Sequence, residues 1–79
     1  MHLCISGFLL DSTKDDFIKF ELVPDHSFND RIVQILGHTN FYAMPAGEWR
    51  LTGEQIGKIS ELIGQTLPAD LKLYIGVEA

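Results

Sequence analysis

Residues 49–68, WRLTGEQIGKISELIGQTLP, decide the fold, because the start, face and stop signals of one element agree within them. Thr52 followed by Gln55 makes a capping box: the hydroxyl takes the amide of the third helical residue, and the glutamine side chain reaches back to the cap. Leu51 before the cap and Ile56 at the fourth helical position form the matching hydrophobic staple. At about 100° per residue, Ile56, Ile59, Leu62 and Ile63 share one side, and Glu54, Lys58, Glu61 and Gln65 the other. Gly57, Ser60 and Gly64 lie between them as a small-residue seam where a neighbouring backbone could approach closely. Gly64 and Pro68 end the helix.

Before this helix, TNFYAM, PAGE and WRL read as two short strands around a turn at residues 45–48. Further upstream, Phe28, Ile32, Ile35 and Leu36 recur at helical spacing after a start at Ser27 with Asp30, and Gly37 is the expected C-cap. Leu3, Ile5 and residues 8–10 read as a first strand with a bulge or bend at Gly7. The polar run DSTKDD, residues 11–16, closes a hairpin onto FIKFELV, where Ile18, Phe20 and Leu22 alternate with Lys19 and Glu21. At the other end of the chain, Leu71, Leu73, Ile75 and Val77 point inward from a last strand, with Lys72 and Tyr74 outward.

The expected order is therefore ββαββαβ in one α+β domain spanning residues 1–79. Each helix carries one apolar stripe and each strand one apolar face. The predicted architecture is a two-layer sandwich of about five mainly antiparallel strands, both helices covering one sheet face. The opposite face would carry Lys19, Glu21, Arg50, Lys72 and Tyr74. Alternation leaves open whether Tyr42 and Met44 join that face or Phe41 and Ala43 do; with Tyr42 beside Tyr74 it becomes an aromatic patch rimmed by charge. Trp49 shares the parity of Leu51 and is expected in the core, the alternative being an interface anchor beside Arg50.

A chain of 79 residues can bury only a little over ~60% of its unfolded surface, so its stability margin is thin. Its 46% hydrophobic and 22% charged residues argue for a folded chain. No apolar run reaches the ~18–20 residues that span a bilayer, and MHLCISGFLL lacks a basic front and a small-residue cleavage site. The single cysteine, Cys4, excludes an internal disulfide framework and fits a reducing compartment, so the expected location is cytoplasmic. Net charge is −5, and the four lysines and two arginines are dispersed. That is a poor footprint for nucleic acid and favours a partner with a basic surface.

The residues that could carry chemistry have better structural uses. Asp11, Asp15 and Asp16 lack the spacing of a calcium loop and read as a solvated acidic turn able to meet a basic partner. His2, Cys4, His26 and His38 do not reach the four ligands of a structural zinc on any one element. Ser27 serves as a helix cap, Ser60 lies on the helix seam, and Cys4 has no flanking nucleophile motif. No catalytic residue, metal or cofactor is expected, and the chain reads as a non-enzyme.

Through Leu51, Thr52, Glu54 and Gln55 opening the helix, with Asp70 and Tyr74 in a terminal strand, the second half of the chain, from roughly Trp49 onward, resembles small bacterial immunity proteins of contact-dependent inhibition and related polymorphic-toxin systems. The resemblance covers under half of the chain. It implies a cytoplasmic inhibitor that binds and occludes a cognate toxin domain, often a nuclease with a basic cleft. With it, the chain reads as a non-catalytic protein-binding module of that function. Its candidate contacts are Asp11, Asp15, Asp16, Glu21, Tyr42, Arg50 and Tyr74. The alternatives are a phage- or mobile-element-encoded inhibitor of a host nucleic-acid-binding complex, and a self-assembling structural or phage assembly protein that pairs through a strand edge or the tyrosine face.

Overall fold

The computed structural model describes residues 2–10, 17–39 and 47–78. Its centre is an antiparallel pair, β1 (His2–Leu9) and β4 (Leu71–Glu78), aligned along their whole length from His2 opposite Glu78 to Leu9 opposite Leu71. β2 (Phe20–Leu22) flanks β1 and β3 (Glu48–Arg50) flanks β4, so the sheet order is β2-β1-β4-β3 with every neighbour antiparallel. The described order is thus ββαβαβ, with four strands in place of the five expected. The further strand expected within residues 39–44 falls almost wholly outside the described residues.

Register assigns the faces. Leu3, Ile5 and Gly7 lie opposite Val77, Ile75 and Leu73, while Leu22 and Phe20 sit beside Ile5 and Gly7, and Trp49 beside Ile75. This face meets α1 (Asn29–Ile35) through Ile32 and Val33 and α2 (Gly53–Ile63) through Ile59, with Leu51 and Leu67 closing the core. Both helices therefore cover the same side, as two apolar stripes and one-sided strands require.

The capping box forms as expected. The Thr52 amide donates to Gln55 Oε1 at 2.9 Å, and the Gln55 amide donates to Thr52 Oγ1 at 3.1 Å. At the other end Gly64 adopts the left-handed conformation, φ 69°, and the Gln65 amide returns to the Ser60 carbonyl. The expected seam is corrected among the described residues: a Cβ at Gly57 or Gly64 would meet none of them within 4 Å, so none of their backbone approaches there. Only Ser60 makes use of its position, its hydroxyl accepting from the amide of buried Leu67 at 3.2 Å and fixing the turn into β4. The exposed Lys58–Glu54 pair, 3.2 Å apart at i,i+4, adds about 0.3–0.5 kcal/mol.

The first helix starts differently from its prediction. Asp25, not Ser27, is the capping side chain; it accepts from the Ser27 amide at 2.9 Å and opens a single 3₁₀ turn, His26–Phe28, that leads into α1. Hydrogen bonds from the Ser27 amide and side chain hold the Asp25 carboxyl below its usual range. The C-cap of α1 is Leu36 rather than the expected Gly37, which follows it with φ 97° and turns the chain, its own amide returning to Gln34 and that of His38 to Val33.

The second strand is shorter than the alternation in FIKFELV suggests. Lys19 donates to the Gly7 carbonyl at 2.7 Å although Gly7 is paired with Phe20, so the edge slips by one residue at this point. A slip of one reverses side-chain parity, and Ile18 is 50% exposed instead of following Phe20 inward. The irregularity expected in β1 thus lies in its partner, and β1 keeps unbroken register with β4. Gly7 is there for space: a Cβ would stand 2.9 Å from Leu73 Cδ2, 3.0 Å from Phe20 Cβ and 3.1 Å from Leu71 Cδ1.

Two glycine substitutions should therefore have opposite signs. Gly7→Ala overpacks the core and is expected to destabilise by about 1–3 kcal/mol. Gly57→Ala fills open space in a helix and is expected to stabilise by about 0.5–1 kcal/mol. Urea denaturation of the two variants checks both.

Candidate protein-interaction face

Among the described residues, register sets out in rows the side chains of the sheet face turned away from the helices. His2 stands opposite Glu78, Cys4 opposite Gly76 with Glu48 beyond it, and Phe8 opposite Lys72. Across the middle run Glu21, Ser6, Tyr74 and Arg50, one from each strand. Three residues from the predicted contact set, Glu21, Tyr74 and Arg50, are thereby brought into one row. Asp11, Asp15, Asp16 and Tyr42 lie outside the described residues.

The floor of this face is small and shielded: Cys4, Ser6 and Gly76 are buried, whereas Glu21, Glu48, Arg50 and Glu78 are exposed. Gly76 is required by the approach of β3, since a Cβ there would lie 2.9 Å from both Glu48 Cγ and the Gly47 carbonyl oxygen. Phe8 packs edge-on against Tyr74, ring centroids 5.8 Å apart, which holds an aromatic pair beside Ser6. His2 Nε2 lies 3.7 Å from a Glu78 carboxylate oxygen.

The Cys4 thiol reports the electrostatics. Burial pushes its pKa up from the ordinary thiol value, the carboxylates of Glu78, Glu21 and Glu48 add to the rise, and a hydrogen bond with Ser6, Sγ to Oγ 3.9 Å, opposes it. Three carboxylates from three strands therefore act on one point. The cations Arg50 and Lys72 lie toward the other end, level with Tyr74 and Phe8. Along β3 and β4 the charge therefore runs from acidic near residues 76–78 to basic near residues 72–74, while Glu21 on β2 sets a carboxylate level with Tyr74.

Sequence reasoning missed Glu48, Glu78 and Phe8. The signal for the two glutamates was present, since Glu48 has the parity of Arg50 and Glu78 that of Tyr74, but both stand at strand ends where alternation fades. Trp49 takes the inward position expected of it, half-buried and edge-on to His38 at 6.2 Å between ring centroids. His2 and Cys4 do share a strand face. Among the described residues, no three His, Cys, Asp or Glu side chains come together in a way that could hold a metal ion, and no helix is long and apolar enough to cross a membrane.

Compared with protein-family models, curated proteins and solved structures, the chain finds no match.

The raised thiol pKa has a pH consequence. The unfolded thiol loses its proton first, near its ordinary value of 9.0, so this group's stabilising contribution is complete below that pH and is lost as pH rises toward the higher folded value. Denaturation midpoints from roughly pH 8 to pH 10.5, measured with and without Cys4→Ala, are expected to show a shallower alkaline decline in the variant.

Proposed function

We propose that this chain is a non-catalytic protein-binding module, and that it acts as an immunity protein, binding and neutralising a toxin domain that carries a basic surface. The observation that carries the reading is the outer sheet face, where Glu21, Tyr74 and Arg50 fall in one row and Glu48 and Glu78 extend the same surface. Aromatic groups among charges suit a protein interface, tyrosine and arginine being enriched where binding energy concentrates. The three glutamates would attract a basic partner, which raises the association rate and penalises acidic competitors. The resemblance carried by Leu51, Thr52, Glu54, Gln55, Asp70 and Tyr74 to small immunity proteins supports the particular function. An acidic surface placed over a basic cleft would block that cleft sterically and electrostatically.

The test is a capture from source cells at low salt, using tagged wild-type chain and the variant Glu21→Gln, Glu48→Gln, Glu78→Gln. A partner held by the wild type is expected to be lost or roughly tenfold weaker with the variant, and its binding to weaken steadily with salt. Expressed alone, that partner should arrest growth, and co-expression of wild type but not variant should restore it. Equal retention by the variant would remove the outer face from the interface, and a partner harmless on its own would remove the immunity reading.

A further inference from the structure

The order of charges along β3 and β4 on the outer face is self-complementary, and we infer that a second copy of this chain docks there, sheet face to sheet face, about a two-fold axis. The axis lies in the plane between the sheets, perpendicular to the strands, at the level where Ile5 pairs with Ile75. Rotation about it keeps each strand over its own copy and reverses direction, so levels above the centre exchange with levels below. Glu48 and Arg50 stand one residue to either side of Trp49, which pairs with Ile75, so each Glu48 falls over the second copy's Arg50. On β4, Glu78 and Lys72 lie three residues to either side of Ile75 and exchange in the same way. The small floor fits the same operation, because Tyr74 falls over Gly76 and Ser6 over Cys4.

Every one of these pairs occurs twice, as an isologous interface demands. The two-fold axis that runs along the strands would instead lay β3 over β2 and β4 over β1, setting Arg50 over Glu21 but leaving Glu48 and Lys72 without an opposite charge, so Glu48→Arg would not weaken that arrangement. Sheets packed face to face keep their strands within about 30° and their layers about 10 Å apart, a gap that arginine and glutamate side chains can bridge. Two strands of eight residues flanked by two of three make a face of on the order of 350 Å² per copy. Two such faces bury about 700 Å², below the range of stable specific interfaces and in that of weak, transient ones. The dimer is therefore weak, concentration-dependent and sensitive to salt. It occupies the same face as the partner proposed above but does not depend on that partner's existence.

Sedimentation velocity over a concentration series at low and high salt tests it, with Glu48→Arg and Arg50→Glu studied singly and mixed. Both positions are exposed on an edge strand, so circular dichroism should confirm folded variants. Wild type is expected to dimerise at high concentration and low salt, and each single variant to associate about tenfold more weakly or worse, because it opposes like charges twice. In the mixed dimer one contact keeps the native Glu48 over Arg50, and the other sets the two introduced side chains, again of opposite sign, over each other. Association of the mixture is therefore expected to return. A wild-type chain that stays monomeric throughout, or a dimer indifferent to either variant, overturns the proposal. So does a mixture that fails to associate while wild type does.

Discussion

The pairing of β1 with β4 is the constraint on which the rest of the structure depends. Residues 2–9 and 71–78 hold unbroken antiparallel register, whereas each flanking strand contributes only three residues to the sheet. The pair joins opposite ends of the chain, so its closure must be compensated by burial. The entropy of closing a loop grows only with the logarithm of its length, which makes so distant a pairing thermodynamically tolerable. Compensation comes from one face: Leu3, Ile5, Leu73 and Ile75 are fully buried beneath Ile32, Val33 and Ile59. Gly7 belongs to the same constraint, its missing side chain admitting Leu71, Leu73 and Phe20 to the space above β1.

The same register that builds the core also builds the outer face, since side chains alternate along a strand and cannot be assigned independently. Once Ile5 and Ile75 point inward, Cys4, Ser6, Tyr74 and Gly76 must point outward. Gly76 then lets β3 lie close, and this sets Glu48 beside Gly76 and Arg50 beside Tyr74. Core packing and surface chemistry are thus two results of one alignment.

What a single sequence makes legible follows this division between local and distant. The Thr52–Gln55 box, the turn at Gly37, the Gly64 end, the parity of β4 and the inward Trp49 are all set by neighbours within a few residues, and the sequence displays those neighbours. The start of the first helix is ambiguous at that level because Asp25 and Ser27 are both good caps two residues apart, and their competition is settled by the turn geometry around Phe28. The length of β2 is hidden too: its alternation continues through Ile18 while its pairing slips at Lys19, and pairing is invisible in a single strand. Of the outer sheet face, Glu21, Arg50 and Tyr74 are legible by parity. Their convergence into one row is not, since it needs β2, β1, β4 and β3 in that order, and no pattern within a strand specifies its neighbours.

If the outer face pairs both with its own copy, as inferred above, and with the proposed partner, the two events are linked. A partner that recognises only the uncovered face meets only the chains that are free, so dimerisation lowers its apparent affinity in proportion to the fraction sequestered. Because the face is small, that fraction is appreciable only at high protein concentration, and a tight partner would displace the second copy at little free-energy cost. The two interactions also differ in what they require of the charges. A basic partner gains from Glu21, Glu48 and Glu78 and is opposed by Arg50, whereas a second copy needs Arg50 as much as Glu48. Arg50 is therefore the residue whose reversal separates them: it strengthens attraction to a basic surface while it destroys the self-complementary gradient.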